Sequence, residues 1–144
     1  METFTYNYPK PSITTDCIIV KGPSVQMEVL LIRRKHDPFM GKWALPGGFV
    51  EIDEDLMDGA IRELKEETGL AQIDLKQFGT YGKPGRDPRG RTISVVYYGF
   101  VQEGESSVTA GDDAAEACWF DIKKLPPLAF DHGEIIHDFI TKKP

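Results

Sequence analysis

A chain of 144 residues can bury one sizeable core but not two ordinary ones, so a single domain over 1–144 is expected. A net charge of −6 and a pI near 5.1 argue against the broad basic face that nucleic-acid binding needs, while leaving room for a small, locally basic pocket. No stretch reaches the ~20 apolar residues of a membrane-spanning helix, and no basic region followed by an apolar run opens the chain, so a cytoplasmic protein without a span or secretory leader is expected.

The first elements in chain order are two β-rich runs, Ile13 to Val20 and Met27 to Arg33, separated by a Lys-Gly-Pro-Ser turn. Pro38 to Asp53 is dense in glycine and proline and reads as a loop with short strands, where backbone can come close to a ligand. A helix follows from Asp55 to Thr68, with Met57, Ala60, Ile61, Leu64 and Thr68 on one side. Asp55 suits its N-cap, Asp58 its first turn and Gly69 the position beyond its end. Strand patterns then recur at Asp74–Tyr81, Thr92–Val101 and Ala117–Phe120, with a basic turn at 82–91 and a polar loop at 104–115. The last element, about Gly133 to Thr141, is a helix with Ile135, Ile136, Phe139 and Ile140 as its apolar stripe. Cys17 and Cys118 lack metal-ligand or redox spacing and are expected as buried free thiols. An α/β fold with a mixed sheet between helices is the natural assembly.

On the predicted helix, Glu63, Glu66 and Glu67 stand three and four residues apart, so they form one acidic patch with neighbouring Cβ atoms about 5–6 Å apart. Glu66 and Glu67 occupy the last turn, where the helix dipole disfavours negative charge by ~0.3–1 kcal/mol each. A bound divalent cation reverses that penalty, and an all-carboxylate patch suits a hard ion, Mg²⁺ or Mn²⁺. A solvated acidic helix face is the plainer alternative.

The flanking residues favour the metal reading. Gly48-x5-Glu54-x7-Arg62-Glu63-Leu64-x-Glu66-Glu67-x-Gly69-Leu70 resembles the Nudix box at all of its specified positions, a match expected by chance with a probability on the order of 10⁻⁸. The resemblance implies an α/β/α sandwich that holds divalent ions against a diphosphate and hydrolyses it. It also implies that Glu63, Glu67 and the Gly47 carbonyl are metal ligands, that Glu66 is a ligand or water-mediated partner, and that Arg62 pairs with Glu54 to orient helix and loop. Many Nudix enzymes add one acid from a later loop, as a metal ligand or as the base that activates water. Asp112, Asp113 and Glu116 qualify here, and Glu116 is preferred.

The segment Gly85-Arg-Asp-Pro-Arg-Gly-Arg91 is a basic, turn-rich loop whose Arg86 and Arg89 suit bidentate recognition of phosphate. It is similar to the corresponding loop of Nudix ADP-ribose pyrophosphatases, which implies cleavage of ADP-ribose to AMP and ribose 5-phosphate; homodimers are common in that branch. Arg33, Arg34 and Phe39 are further substrate-binding candidates, whereas His36, His132 and His137 suit surface or packing roles. Two other readings stay open. One is a nucleoside triphosphate pyrophosphatase. The other is a non-catalytic sensor of ADP-ribose or sugars, because Leu128-Ala-Phe-Asp-His132 is similar to segments of Nudix-related transcription regulators.

Overall fold

The computed structural model describes residues 2–102, 108 and 114–142. Seven strands form one mixed sheet: β1 (Ser12–Lys21), β2 (Glu28–Arg34), β3 (Trp43–Ala44), β4 (Gly47–Phe49), β5 (Lys76–Tyr81), β6 (Thr92–Val101) and β7 (Ala114–Asp121). Among the described residues two α-helices, α1 (Leu56–Thr68) and α2 (His132–Lys142), and a short 3-10 turn at Ser24–Gln26 join the sheet. β1 and β6 run parallel in register from Ser12–Thr92 to Lys21–Val101, and Cys17-Ile18-Ile19-Val20 is buried on both sides, as expected of a strand covered on two faces.

Alternation along the strands divides the core into two layers. Cys17, Ile19, Leu30, Val95 and Tyr97 pack with Ala60 and Leu64 of α1. Ile18, Val20, Val29, Leu31 and Val96 pack with Ile135, Ile136 and Phe139 of α2. The result is the expected α/β/α sandwich, because a two-sided apolar sheet needs a helix on each face.

The sheet also sets the position of the site. On its side away from β6, β1 pairs with β2 at Val20–Val29 and Lys21–Glu28, but with β4 at Thr14–Phe49, Thr15–Gly48 and Asp16–Gly47. A Cβ on Gly47 would collide with the Thr15 carbonyl and the Asp16 carboxylate, so this close approach requires glycine. β2 continues outward, pairing with β7 from Glu28–Asp121 to Arg34–Ala114.

Several expectations need correction. α1 has Asp55 at its N-cap, but the Asp55 side chain makes no capping hydrogen bond; the carbonyl of Asp55 accepts the Gly59 N–H instead. Gly69 does end the helix, in the left-handed region, with its N–H bonded to the Lys65 carbonyl. Ile61 is exposed, and Glu67 takes its place in the buried arc, because α1 rolls its polar flank towards β4. β7 begins at Ala114, earlier than predicted, because the backbone ladder to β2 runs on past the apolar residues. Cys17 is buried, whereas Cys118 is half-buried on that outer strand. No helix among the described residues is long and apolar enough to cross a membrane.

Candidate active site

The loop Leu45-Pro46-Gly47 between β3 and β4 is held by three different elements. The Leu45 N–H donates to His132 Nδ1 at 3.0 Å, the Pro46 carbonyl accepts the Cys17 N–H at 2.8 Å, and the Gly47 N–H donates to Glu67 Oε1 at 2.7 Å. Gly48 stands so close to α1 that a Cβ there would come within 2.6 Å of the Glu63 carboxylate. The glycines therefore let two carboxylates of α1 sit directly against the loop.

Glu63 and Glu67 line a cleft of about 390 Å³ with Asp16, Glu51, Arg34, Arg86, Arg89, Phe49, Phe130 and His132. Glu66 does not share their face: its side chain is half-exposed and lies 3.3 Å from Arg62. At ~100° per residue, Glu67 lies roughly 40° from Glu63 round the helix, while Glu66 lies roughly 60° to the other side. The three-carboxylate patch read from spacing is thus two acids in the cleft and one at its outer rim.

Arg62 is the hub of the helix–loop junction. Its Nε and Nη2 bond Glu54 Oε2 and Oε1 at 2.6 and 2.9 Å, its Nη1 reaches Glu63 Oε1 at 2.9 Å, and its Nη2 also reaches the Phe49 carbonyl. Glu54 also accepts the Glu51 N–H, and the Arg62 hydrogen bonds hold its carboxyl down at about 2. The guanidinium is raised above its ordinary value mainly by the hydrogen bond to Glu54. The pairing implied by the box is present, and it is bidentate.

Elsewhere in the cleft lining, Arg86 donates from Nε and Nη2 to both Asp131 oxygens at 2.9 and 2.7 Å, with the Arg86 side chain 5% exposed. Arg89 closes on Asp87 in the same bidentate way at 3.1 and 2.8 Å. Burial pushes the Asp87 carboxyl up, but the Arg89 hydrogen bonds outweigh it and hold the group below its usual value. The Arg89 guanidinium lies 4.7 Å from the Phe49 ring centre and 5.3 Å from that of Phe130. Arg34 lies 5.0 Å from Phe130 and donates from Nε to the Pro38 carbonyl, but it makes no ion pair among the described residues. Burial, followed by the charge of Arg89, lowers its pKa.

Of the remaining predicted site residues, those described fall outside the cleft wall. Glu116 sits opposite Arg33 in the β2–β7 ladder and pairs with it at 2.7 Å, so the described structure brings neither to the cleft; Asp112 and Asp113 lie outside the described residues. Arg33 and Arg34 diverge because successive strand residues face opposite sides. Phe39 packs edge-on against Phe130, behind the ring that faces the arginines. Sequence reasoning missed Asp16, Phe49, Phe130 and Asp131, and read His132 as a surface or packing residue. Asp16 carried a signal, a lone carboxylate in an apolar strand. It is 7% exposed and accepts the Ser94 hydroxyl at 2.5 Å.

Among the described residues, no three acidic, histidine or cysteine side chains converge as a ready-made metal cage. The donor set still fits a hard divalent ion. Mg²⁺ binds through one or two carboxylates, with waters and substrate phosphates completing its shell, and Glu63 and Glu67 supply such a pair. The crowding of negative charge is felt at the buried Cys17 thiol, pushed up first by burial and then by Asp16, Glu67 and Glu63.

An α/β/α sandwich whose glycine loop abuts two helix carboxylates in an arginine-lined cleft matches the NUDIX domain over residues 11–139, and the chain belongs to that family. It is 48% identical to the ADP-ribose pyrophosphatase of Methanocaldococcus jannaschii over 94% of this chain and 77% of that protein. It is 34% identical to the ADPR responsive transcriptional repressor NtrR of Acinetobacter baylyi, covering 94% of this chain but only 56% of the repressor. Among solved structures, the NUDIX domain of Shewanella oneidensis NrtR complexed with ADP ribose superposes with a TM-score of 0.86 at 28% identity, over 95% of this chain and 91% of that one.

Proposed function

We propose that this protein is a Mg²⁺-dependent cytoplasmic hydrolase, acting as one domain, that cleaves ADP-ribose to AMP and ribose 5-phosphate. The observation that carries the reading is one cleft lined by both acids and arginines: Glu63 and Glu67 share about 390 Å³ with Arg34, Arg86 and Arg89. A diphosphate needs both, an acidic site to recruit cations for its bridging region and guanidiniums for its outer oxygens. The relatives named for ADP-ribose pyrophosphatase activity and ADP-ribose response support this substrate over a triphosphate.

Glu63 and Glu67 would hold Mg²⁺ or Mn²⁺, which when bound supplies charge neutralisation at the phosphate oxygens and activation of water. The chain's own residues do the positioning. Arg62 fixes Glu63 from the side while Glu54 fixes Arg62, so the acid reaches the loop in one orientation. Glu67 holds the glycine loop through the Gly47 N–H. Arg34, whose Nη groups have no carboxylate among the described residues, is the cation available to a phosphate. Arg86 and Arg89, already closed by aspartates, shape the arginine wall. The flat Phe49–Arg89–Phe130 stack at that wall suits an adenine base. Exposed Phe4, Tyr6 and Tyr8, close together in the chain, support a homodimer, which a solution molar mass tests.

The test is incubation with Mg²⁺ and, separately, ADP-ribose, other nucleoside diphosphate sugars, dinucleotides and nucleoside triphosphates, with products separated by chromatography. AMP and ribose 5-phosphate released preferentially from ADP-ribose are expected. Pyrophosphate released from a triphosphate would overturn the substrate, and no metal-dependent turnover with tight ADP-ribose binding would move the protein to the sensor class.

A further inference from the structure

Three consecutive residues ahead of and at the start of α2 reach three parts of the cleft. Phe130 lies against Arg34 and Arg89, Asp131 closes on Arg86, and His132 accepts the Leu45 N–H at the root of the glycine loop. Phe130 adopts a φ of 53°, a left-handed conformation that is strained for a non-glycine residue and persists only where its surroundings enforce it. Those surroundings are visible: the Ala129 N–H bonds the Trp43 carbonyl at 2.8 Å, and the His132 N–H bonds the Ala129 carbonyl at 3.2 Å. The segment is stitched to β3 just before the loop that β3 leads into.

His132 is 4% exposed. Accepting the Leu45 N–H requires a lone pair on Nδ1, so the neutral ring carries its proton on Nε2. That N–H points towards Asp16 Oδ1 at 3.7 Å, and Asp16 Oδ2 is held by Ser94. Asp16 in turn pairs with Gly47 across β1 and β4. The imidazole therefore fills the space between two structures that both touch the glycine loop, and it satisfies a buried donor, Leu45 N–H, two residues before the Gly47 N–H that binds Glu67.

We propose that His132 is a positioning residue for catalysis: through the Leu45 N–H it fixes where Gly47 presents itself to Glu67, and through Phe130 and Asp131 it registers the arginine wall against that loop. The inference rests on the cleft being the catalytic site. It does not depend on which diphosphate is cleaved.

Two substitutions separate positioning from packing. In His132→Asn, the amide oxygen can stand near the place of Nδ1 and keep the Leu45 hydrogen bond; in His132→Gln, the polar end extends past it towards Asp16. Steady-state kinetics on the best diphosphate substrate should show kcat for His132→Gln lowered by ~10–100-fold, the range typical of groups that orient metal ligands, with KM changed far less. His132→Asn should recover most of the loss. Amide hydrogen exchange on the same proteins, which needs no substrate, should show Leu45 and Gly47 exchanging faster in His132→Gln than in His132→Asn. Equal kcat and equal exchange in both variants, or a lowered melting temperature with wild-type kcat, would overturn the proposal. If the wild-type protein turned over nothing, the activity reading would fail by itself, and the exchange comparison would still decide whether His132 holds the loop.

Discussion

In the acidic part of the cleft lining, Arg62 binds Glu54 and Glu63, and Glu67 holds the Gly47 N–H. In the arginine-rich part, Arg86 and Arg89 are each closed by an aspartate, and Arg34 makes no ion pair among the described residues. The first region is rich in acids, and its arginine is already engaged by Glu54 and Glu63. The second is almost neutral before anything binds, so its arginines act as a rigid wall, since each bidentate pair fixes both partners. The cleft thus joins one region rich in carboxylates to one whose arginines are already set.

The largest effect should come from breaking the acidic region. Glu67→Gln keeps an amide oxygen that can accept the Gly47 N–H but removes the charge. It should lower kcat by more than the ~10–100-fold typical of groups one step removed from a metal, at nearly unchanged melting temperature. Near-wild-type turnover at saturating Mg²⁺ would mean that the acidic excess is not the metal site. In the arginine region the expected loss is in binding. Arg34→Ala removes a charge-assisted hydrogen bond worth ~1.5–3 kcal/mol and should raise KM by ~10–100-fold, with Arg34→Lys intermediate. An equal loss on removing Arg89 would show that its pair with Asp87 opens for substrate, and would blur the distinction between wall and ligand.

The two regions also differ in how far residue order reveals them. The acidic region is written within 23 residues, from Gly48 to Leu70, because a loop and the helix directly after it can assemble locally. Even there, spacing placed Glu66 with Glu63 and Glu67, since three- and four-residue steps both count as neighbours; only the roll of α1 against β4 decides which one faces inward. The arginine region joins β2, the 82–91 turn and the start of α2. No local pattern tells that Asp131 meets Arg86 across 45 positions, or that His132 meets Leu45 across 87. The strands and the sandwich were readable because burial on two faces leaves continuous apolar runs. Asp16 hid inside such a run, and Glu116 looked promising by its place in the chain until the β7 ladder turned it onto Arg33.

A smaller effect tests the aromatic part of the wall. Phe130→Leu keeps apolar bulk but loses the ring face that Arg34 and Arg89 share, and aromatic contacts of this kind contribute ~0.5–1.5 kcal/mol. KM for ADP-ribose should rise by ~2–10-fold with kcat intact. A fall in kcat instead would indicate that the ring matters through the backbone of Asp131 and His132 rather than through the base.

The smallest effect isolates the junction that keeps the acidic region in place. Hydrogen bonds from Arg62 hold the Glu54 carboxyl at about 2, below its ordinary value of 4.5. A carboxylate depressed in the folded state contributes stability that is fully present above the unfolded pKa and is lost as pH falls through the folded one. The melting-temperature gap between wild type and Glu54→Gln should therefore be constant above about pH 4.5 and shrink between 4.5 and 2, because the other titrating groups are common to both proteins. A gap that stays the same across that window would mean that Glu54 supports Arg62 by shape and neutral hydrogen bonding. The orientation of Glu63 by Arg62 would then survive acidification.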